Sequence, residues 1–354
     1  MDNLLDAWLM LSLTRGLSGA SSRRLLSRFG SPDQVYAASF DQLNELVKFE
    51  TAAEICKGIN AELLSPVKNW LLDNNNRLVT LADSDYPQAL LNIPDPPLLL
   101  YVKGRIELLN RTGLAIVGSR HATPQGIHNA EAFAEALSNA GYCIISGMAH
   151  GIDAAAHRGA LKGVAGSIAV IGTGMDKIYP SANRELAHTL ASQGALVSEF
   201  PLGTPPLGSN FPRRNRLISG MSLGCLVVEA SLQSGSLITA RLALEQDREV
   251  FAIPGSIHAP QSRGCHSLLK QGAKLVENAQ DILEEFGANP IKNVPPVQAS
   301  DSALLAQLGY DPVDLDSLSV RCSLTISQLS AMLLPLELDG HICTLPGGLY
   351  QRIH

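Results

Sequence analysis

The sequence predicts an α/β protein whose core is a parallel β-sheet covered by helices on both faces. Six short apolar runs follow one another through the middle of the chain: LAIVG, CIISG, SIAVIG, ALVSEF, CLVVEA and EVFAIPG. Most are separated by segments with helical periodicity, such as GIHNAEAFAEALSNAG and ITARLALEQD. Nearly continuous apolar strands that alternate with helices are typical of a sheet buried on both faces. We therefore expect residues 113–286 to form one Rossmann-like domain.

The length and composition indicate a globular protein with more than one domain. Domains usually contain roughly 100–200 residues, so a chain of 354 residues predicts two or three of them. The net charge of −6 argues against a protein that coats nucleic acid through its overall charge. A local groove on an acidic chain can still be positive, and binding depends on where the cations lie.

The cysteines and the apolar segments restrict the class of protein further. The six cysteines are scattered and include no Cys-x-x-Cys pair, which predicts reduced thiols without a disulfide framework or a zinc site. The first residues, MDNLLDAWLML, are acidic and contain no basic leader. No apolar stretch approaches the roughly 20 residues needed to cross a bilayer. We expect a cytoplasmic protein with no membrane contact.

Residues 1–73 precede the predicted core and have a short-range helical pattern. An apolar stripe is followed by Gly30 and Ser31-Pro32, which end one helix and begin another. This pattern predicts a SAM-like helical module. The module either contacts a partner or a DNA backbone, or it is a helical packing unit without a binding site. Residues 74–112 are rich in proline, which disfavours a long helix, and we expect an extended connector there.

The C-terminal part of the chain predicts a small separate domain. Residues 287–300, with the polar and proline-containing sequence GANPIKNVPPVQAS, are typical of a linker. Residues 301–354 have the order of three helices followed by a hairpin, which predicts a winged-helix-like domain. Its third helix, TISQLSAMLLPLELD, has no arginine or lysine. Because duplex readers use such cations, a protein-contact or structural role is favoured.

Glycine-containing turns follow the first three strands of the predicted sheet. In such sheets, ligands bind where the strands end and the helix N-termini present free N–H groups to anions. Any one of these turns is also common without a ligand, but several at one edge favour phosphate binding. The predicted contacts are Gly118, Ser119 and Arg120 of GSR, Ser146 and Gly147 of SGMAHGID, and Gly172 and Gly174 of GTG.

The densest group of cations is the segment NFPRRNRLISG. Arg213, Arg214 and Arg216 lie within four residues of one another, next to Asn215. Phe211 is available to stack on a base, and aromatic and basic side chains together suit single-stranded nucleic acid. The alternative is a solvated charged turn. We favour binding because the cluster follows EFPLGTPPLGSN, which we interpret as a loop leaving a strand end rather than as a helix face.

Two catalytic interpretations compete with binding. His150, Asp153 and His157 are spaced along AHGIDAAAH, but a predicted helix start between them and the lack of a further ligand disfavour a metal site. Glu199 and Glu229 end strands, where a carboxylate can act as a general base. A carboxylate at the same position can equally cap a helix or orient an arginine, and we expect no catalytic residue.

The central segment resembles the DprA/Smf family of DNA-processing proteins. The resemblance is carried, in the family's order, by AIVGSR, SGMAHGIDAAAH, AVIGTGMDKIYP, SEFP, FPRRNRLISG, SGSLITARLALEQDREVFAIPG and GCHSLLKQGAKLV. It implies a protein that binds single-stranded DNA, forms a homodimer and helps to load RecA during natural transformation. It also implies DNA contacts at Arg120 and Lys177 and at the FPRRNR arginines. We further predict DNA contacts in the SGS segment at Ser234, Gly235 and Ser236.

No cofactor is expected. The segment AIVGSRHATPQG does not match the dinucleotide fingerprint, which argues against a nicotinamide cofactor. An alternative function is a phosphoribohydrolase-type enzyme of related fold, which carries a PGGxGTxxE motif. The corresponding region here reads ASLQSGSLITA and lacks the glutamate and the Gly-Gly-x-Gly frame. We therefore expect a protein that is not an enzyme.

Overall fold

A computed structural model describes residues 3–287 and 303–353, and its central feature is a nine-stranded sheet. The strand order is β1-β2-β6-β5-β4-β3-β7-β8-β9. The seven strands β3 to β9 run parallel, whereas β2 pairs antiparallel with both β1 and β6. The strands are β1 Asn76–Thr80, β2 Leu99–Gly104, β3 Gly113–Val117, β4 Cys143–Ser146, β5 Ser167–Val170, β6 Ala195–Ser198, β7 Gly224–Val227, β8 Glu249–Ala252 and β9 Lys274–Leu275. The predicted α/β class is confirmed, and β3 to β8 are the six apolar runs.

Six short helices form the N-terminal part of the chain. They are α1 Asn3–Leu13, α2 Gly19–Phe29, α3 Pro32–Ala37, α4 Phe40–Asn44, α5 Phe49–Cys56 and α6 Ala61–Trp70. Capping residues fix their starts: the Ser18 hydroxyl accepts a hydrogen bond from Ser21 N, and Ser39 and Gln42 form a capping box. Their apolar core is continuous with Leu99 and Tyr101 of β2.

The segment 74–112, which we predicted as an extended connector, also extends the sheet. It contributes β1 and β2, which continue the sheet beyond β6. Pro87, Pro94, Pro96 and Pro97 all fall between these two strands, where no ladder hydrogen bond needs their missing N–H groups. The abundance of proline conceals the two strands in the sequence.

The strands alternate their side chains between two layers of helices. The seven helices are α7 Pro124–Asn139, α8 Ile152–Lys162, α9 Arg184–Gln193, α10 Asn210–Gly220, α11 Ser236–Glu245, α12 Arg263–Lys270 and α13 Ala279–Glu285. Leu114 and Ile116 of β3 pack with α7, α8 and α13, whereas Ala115 and Val117 pack with α10, α11 and α12. Because each face of the sheet is covered, its strands are apolar at nearly every position.

The segment EFPLGTPPLGSN is the predicted loop after β6 up to Ser209, and the arginine-rich segment NFPRRNRLISG that follows it is helix α10. Pro212 lies in the first turn, where a missing N–H costs no helical hydrogen bond. Leu217 and Ile218 are buried against the sheet. The helical rotation of about 100° per residue therefore sends neighbouring arginines in different directions.

The C-terminal domain has the predicted winged-helix order. It contains α14 Ala303–Leu308, β10 Val313–Asp314, α15 Leu315–Cys322, α16 Ile326–Leu338, β11 Ile342–Leu345 and β12 Leu349–Arg352, with the sheet order β10-β12-β11. It has an apolar cluster of its own, formed by residues such as Leu305, Leu318 and Leu329. The predicted linker 287–300 lies, except for Gly287, outside the described residues. None of the helices described is long and apolar enough to cross a membrane.

Candidate nucleic-acid interface

The parallel strands end at one edge of the sheet, and an open groove of about 740 Å³ lies there. Strand β3 has β4 on one side and β7 on the other, so the chain leaves β3 and β7 on opposite sides of a crevice. Such switch points are the usual ligand sites of open α/β sheets. A hydrogen bond of 2.8 Å from Ser119 N to Glu229 O joins the two loops at the crevice floor.

Three of the predicted segments line this groove. The loop after β3, the first turn of α10 and the start of α11 converge on it from different parts of the chain. The predicted residues among its lining are Gly118, Ser119, Arg120, Phe211, Arg214, Asn215, Ser234, Gly235 and Ser236.

Arg120 and two aromatic rings form one wall of the groove. The guanidinium carbon of Arg120 lies 5.7 Å from the centroid of the Phe211 ring. The Tyr179 ring is 5.6 Å from the Phe211 ring, and Tyr179 is half exposed. Arg120 is exposed, so its N–H donors face solvent above an aromatic surface. Sequence reasoning missed Tyr179, although it lies in the quoted segment GTGMDKIYP.

The helix N-termini at this edge differ in whether a side chain of the protein accepts hydrogen bonds from their N–H groups. At α7, Thr123 caps the helix, and the Glu229 carboxylate accepts hydrogen bonds from Thr123 N at 2.9 Å and Thr123 Oγ1 at 2.5 Å. At α8, the Asp153 carboxylate accepts a hydrogen bond from Ala149 N. At α11, the first turn follows Gly235 and has no side-chain cap from another part of the chain. The positive end of α11 therefore faces the groove without a carboxylate.

Arg214 lies beneath the groove and is committed to the protein interior. Its side chain donates to Gly147 O at 2.5 Å and to Val170 O, and the residue is 4% exposed. Asp153 faces it, and a Cβ at Gly147 would lie only 2.7 Å from both side chains. Burial raises the pKa of Asp153 against the opposing effect of Arg214, and it lowers the pKa of Arg214 to about 10. Arg214 thus stays cationic at neutral pH, held by carbonyl oxygens.

Arg213 and Arg216 point toward Glu199 from the opposite side of α10. Arg216 Nη2 lies 2.5 Å from Glu199 Oε2, and Arg216 Nε lies 3.6 Å from Asp95 Oδ2. Arg213 Nη2 is 3.1 Å from the same glutamate oxygen, and its guanidinium carbon is 5.6 Å from the Phe200 ring centroid. The Arg216 side chain is 12% exposed, but the Arg213 side chain is 59% exposed. Only Arg213 of the three keeps an accessible cation.

The arginine cluster that we predicted from sequence is therefore divided by the structure. Arg214 and Arg216 were predicted as DNA contacts, but their hydrogen bonds and ion pairs direct both of them inward. The physical reason is burial, since a buried guanidinium needs carbonyl or carboxylate partners. The charged partners lie far along the chain, at Asp153 and Glu199, which local sequence does not reveal.

The remaining predicted residues lie beside the groove rather than in its lining. The Ser146 hydroxyl donates to Ile116 O at 2.6 Å, which fixes β4 to β3. Gly172 lies against the Phe211 ring, and Gly174 N donates to Thr204 O at 3.0 Å. Lys177 is exposed in the same turn, with its backbone N–H donating to Gly174 O.

Of the residues of the catalytic alternatives, His150 is exposed, whereas Asp153, His157, Glu199 and Glu229 are engaged inside the protein. His157 is fully buried, with its Nδ1 2.7 Å from Ser167 Oγ, and burial lowers its pKa to about 3. Burial raises the pKa of Glu199 and of Glu229, but both carboxylates are held by arginines or by Thr123. Within residues 3–287 and 303–353, no three metal-ligating side chains are grouped.

Comparison with known proteins identifies similar chains over the sheet domain and the C-terminal domain. Residues 77–287 match the family model described as DNA recombination-mediator protein A, and residues 288–348 match the DprA winged helix domain. Protein Smf of Escherichia coli is 45% identical over 297 residues, which cover 80% of this chain and 79% of that protein.

Two solved structures are also similar. The DNA processing protein A of Streptococcus pneumoniae has a TM-score of 0.71 and 37% identity, covering 79% of this chain and 97% of its own. The DNA processing protein A of Helicobacter pylori, described for its single-stranded DNA binding mode, has a TM-score of 0.55 and 31% identity. That match covers 59% of this chain and 95% of the other.

Proposed function

Because the chain belongs to the DNA recombination-mediator protein A family, we propose that it binds single-stranded DNA in the groove at the carboxyl edge of its sheet. The phosphates contact the loop after β3 and the start of α11, and the bases face the aromatic wall. Arg120 is the principal cation, and the exposed Lys177 and Arg213 are further cations for the strand outside the groove lining. The similarity to a Helicobacter pylori protein described as binding single-stranded DNA supports this assignment.

One observation carries the proposal: the groove places an exposed guanidinium, two aromatic rings and an open helix N-terminus side by side. Arg120 lies over Phe211 rather than against a carboxylate, and α11 has no acidic side chain in its first turn. An anion placed between them receives N–H donors from both sides. The neighbouring Tyr179 and Phe211 rings give unstacked bases a surface, which is a sequence-independent contribution of ~1–3 kcal/mol per base.

Single strands fit this arrangement better than a duplex does. Bases in a duplex are already stacked on one another, so they cannot use the aromatic wall. The helix α16, which occupies the place of a duplex-reading helix in winged-helix proteins, contains no arginine or lysine. Both features favour a strand whose bases are free.

We propose binding rather than catalysis. The strand-end carboxylates available for general-base chemistry are Glu199 and Glu229, and their hydrogen bonds serve α10 and the start of α7. The competing phosphoribohydrolase hypothesis predicts hydrolysis of AMP by the purified protein. Measurable release of adenine, abolished in Glu229→Gln, would favour the enzyme.

We also propose that the protein acts in the cytoplasm as a homodimer and helps to load RecA onto the bound strand. The description of the family as a recombination mediator supports a role beside a recombinase. The measurement is RecA filament formation on single-stranded DNA with and without this protein, with the mass of the free protein in solution determined alongside.

The experiment for DNA binding is a salt series with oligo-dT and a duplex of the same length. We expect tighter binding of oligo-dT at every salt concentration and a linear fall of log affinity with log salt. Equal affinity for the two ligands at matched salt contradicts the single-strand assignment. Affinity for oligo-dT that does not depend on salt contradicts the phosphate contacts.

A further inference from the structure

The second helix of the N-terminal module carries a group of arginines that the proposed groove does not use. Arg23, Arg24 and Arg28 of α2 surround an open depression of about 570 Å³, bordered on the other side by Leu46. None of these three arginines forms an ion pair with a carboxylate in the described part of the chain. Other surface cations are paired, such as Arg158 and Lys162 with the carboxylate of Glu131.

The local charge around α2 is positive on a chain whose net charge is negative. Lys48 lies in the adjoining depression beside Arg24, and Glu45 is the single acidic residue in that lining. Four cations thus border a surface that faces one carboxylate. Unpaired guanidinium groups that share a surface repel one another, so an anionic ligand there gains from each of them.

The start of α2 lies next to the arginines of α10. A Cβ at Gly19 would lie 1.8 Å from Asp95 Oδ1, so α2 begins in direct contact with the residue that pairs with Arg216. Gly19 and Arg213 line the same small cleft. Arg213 therefore borders the N-terminus of α2, while its chain neighbours Pro212 and Arg214 line the proposed groove.

The spacing along α2 fits an extended strand. From Arg23 to Arg28 the helix rises about 7.5 Å, and a strand with at least 3.4 Å per nucleotide places no more than about three phosphates over that length. Arg24 and Arg28 are one helical turn apart on the same face, and Arg23 adjoins them. Three arginines over this distance match two or three phosphates.

We propose that a single strand leaving the groove past Arg213 continues across α2, where Arg23, Arg24 and Arg28 hold its phosphates. This proposal rests on the function proposed above and adds a second contact segment to it. The occupant is the same DNA strand, because the surface is cationic and Arg213, next in the chain to the groove residues Pro212 and Arg214, borders the cleft where α2 begins. The N-terminal module thereby lengthens the binding site without adding base recognition, since arginine contacts to phosphate carry no sequence information.

The test compares full-length protein with the triple variant Arg23→Ala, Arg24→Ala and Arg28→Ala. Alanine keeps the helix propensity of α2, and thermal melting verifies the fold. Binding is measured with oligo-dT of about 6 nucleotides, near the lower end of common single-strand site sizes, and of about 20 nucleotides, above their upper end. We expect the triple variant to bind the short oligonucleotide normally. For the long oligonucleotide, we expect the salt slope of log affinity to be smaller by up to about 2 in the variant than in wild type. When the salt falls from 1 M to 0.1 M, the ratio of wild-type to variant affinity should therefore rise about fivefold for each lost contact.

A matched control removes the same charge elsewhere: Arg158→Ala, Lys162→Ala and Lys270→Ala. Lys162 and Lys270 are the last residues of α8 and α12, at the edge of the sheet opposite the groove. We expect wild-type affinity for both oligonucleotides from this control. An equal loss in both triple variants means that net charge alone acts, and it overturns the proposal.

Other results separate this proposal from the function on which it rests. If the α2 variant binds the long oligonucleotide with wild-type affinity and slope while Arg120→Ala weakens it, the groove stands and the α2 contact is wrong. If wild-type protein binds neither oligonucleotide, the proposed function itself fails. Loss of polyglutamate binding with unchanged binding of the long oligonucleotide identifies an acidic protein segment as the occupant and overturns the DNA assignment.

Discussion

Arg120 lies over an aromatic ring, whereas Arg213 and Arg216 also pair with Glu199 and Arg214 donates to carbonyl oxygens, so the Arg120 donors are free for an anion. We expect Arg120→Ala to weaken binding of single-stranded DNA evenly across sequences and to reduce the salt slope of log affinity by roughly 0.7. The melting temperature should stay nearly unchanged, because Glu199 pairs with Arg213 and Arg216 rather than with Arg120. A salt titration and thermal melting of the same preparation measure both quantities.

Arg120→Lys is the matched variant for this position. It keeps the charge but loses the planar fork, so it should restore the salt slope more fully than the affinity. A large drop in melting temperature with an unaltered slope in Arg120→Ala would identify a structural role and refute the phosphate contact.

His157 makes the stability of the protein depend on pH. The Ser167 hydroxyl donates to Ile144 O at 2.8 Å, so Nδ1 of His157 is the donor to Ser167 Oγ, and the ring is neutral. Its pKa of about 3 lies below the ordinary value of 6.5. As the pH falls below 6.5, His157 becomes protonated in the unfolded chain but stays neutral in the folded protein. The free energy of unfolding should therefore fall by about 1.4 kcal/mol per pH unit between about pH 6 and pH 4.

The measurement is urea unfolding of wild type and His157→Phe across that pH range. The difference between their slopes isolates His157, and exposed His150→Phe is the control that should keep the wild-type slope. The buried carboxyls of Asp153, Glu199 and Glu229 act in the opposite direction, since burial raises their pKa values and the folded state takes up their protons first. Equal slopes for wild type and His157→Phe contradict a buried neutral ring.

At the scale of elements, helix α10 is fixed to the sheet by a buried charge. Removing one partner of a buried pair typically costs roughly 3–5 kcal/mol, because the other charge is left without compensation. We expect Arg214→Met to destabilise the protein by an amount of this order, since Asp153 then faces an apolar side chain. Adding Asp153→Asn should recover part of the loss.

The check is a double-mutant cycle by denaturant unfolding, with exposed Arg241→Met on α11 as the control within about 0.5 kcal/mol of wild type. Additive effects of Arg214→Met and Asp153→Asn contradict the coupling between these two side chains.

Helix α10 also illustrates which part of the site the sequence predicts. The composition of NFPRRNR predicts a basic and aromatic site, and Phe211 does line the groove. The sequence does not tell which arginine turns inward, because that depends on Glu199 and Gly147, which the fold brings to opposite sides of the helix. Tyr179 is missed for a similar reason, since its contact with Phe211 joins two distant loops.

At the scale of the whole molecule, the C-terminal domain has a hydrophobic core of its own. Its apolar cluster lies within residues 303–353, and the clusters of the sheet and the N-terminal helices lie within residues 3–287. A chain ending at Gly287 should therefore fold and keep most of its affinity for oligo-dT. Circular dichroism and the salt series test this. A folded truncated chain without affinity contradicts the placement of the site in the sheet domain.

The fold class is predictable because buried parallel strands are uniformly apolar, as in GLAIV of β3 and CIIS of β4. The strands β1 and β2 are not, because the prolines between them dominate the composition of the segment. Strand β9 is only two residues long and carries no pattern at all. Prediction thus fails where an element is short or where its partner strand comes much later in the chain.

The antiparallel pairing of β2 with β6 has a consequence for synthesis on the ribosome. The N-terminal helices emerge first, but their apolar core is completed by Tyr101 of β2 and by Leu190 and Leu196, near residue 198. At about 5–20 residues per second, the ribosome needs roughly 6–25 s to make the chain between the end of α6 and the end of β6. During this interval the helices expose the apolar surface that the sheet later covers. During this period a chaperone can therefore bind the exposed apolar surface of the nascent N-terminal helices.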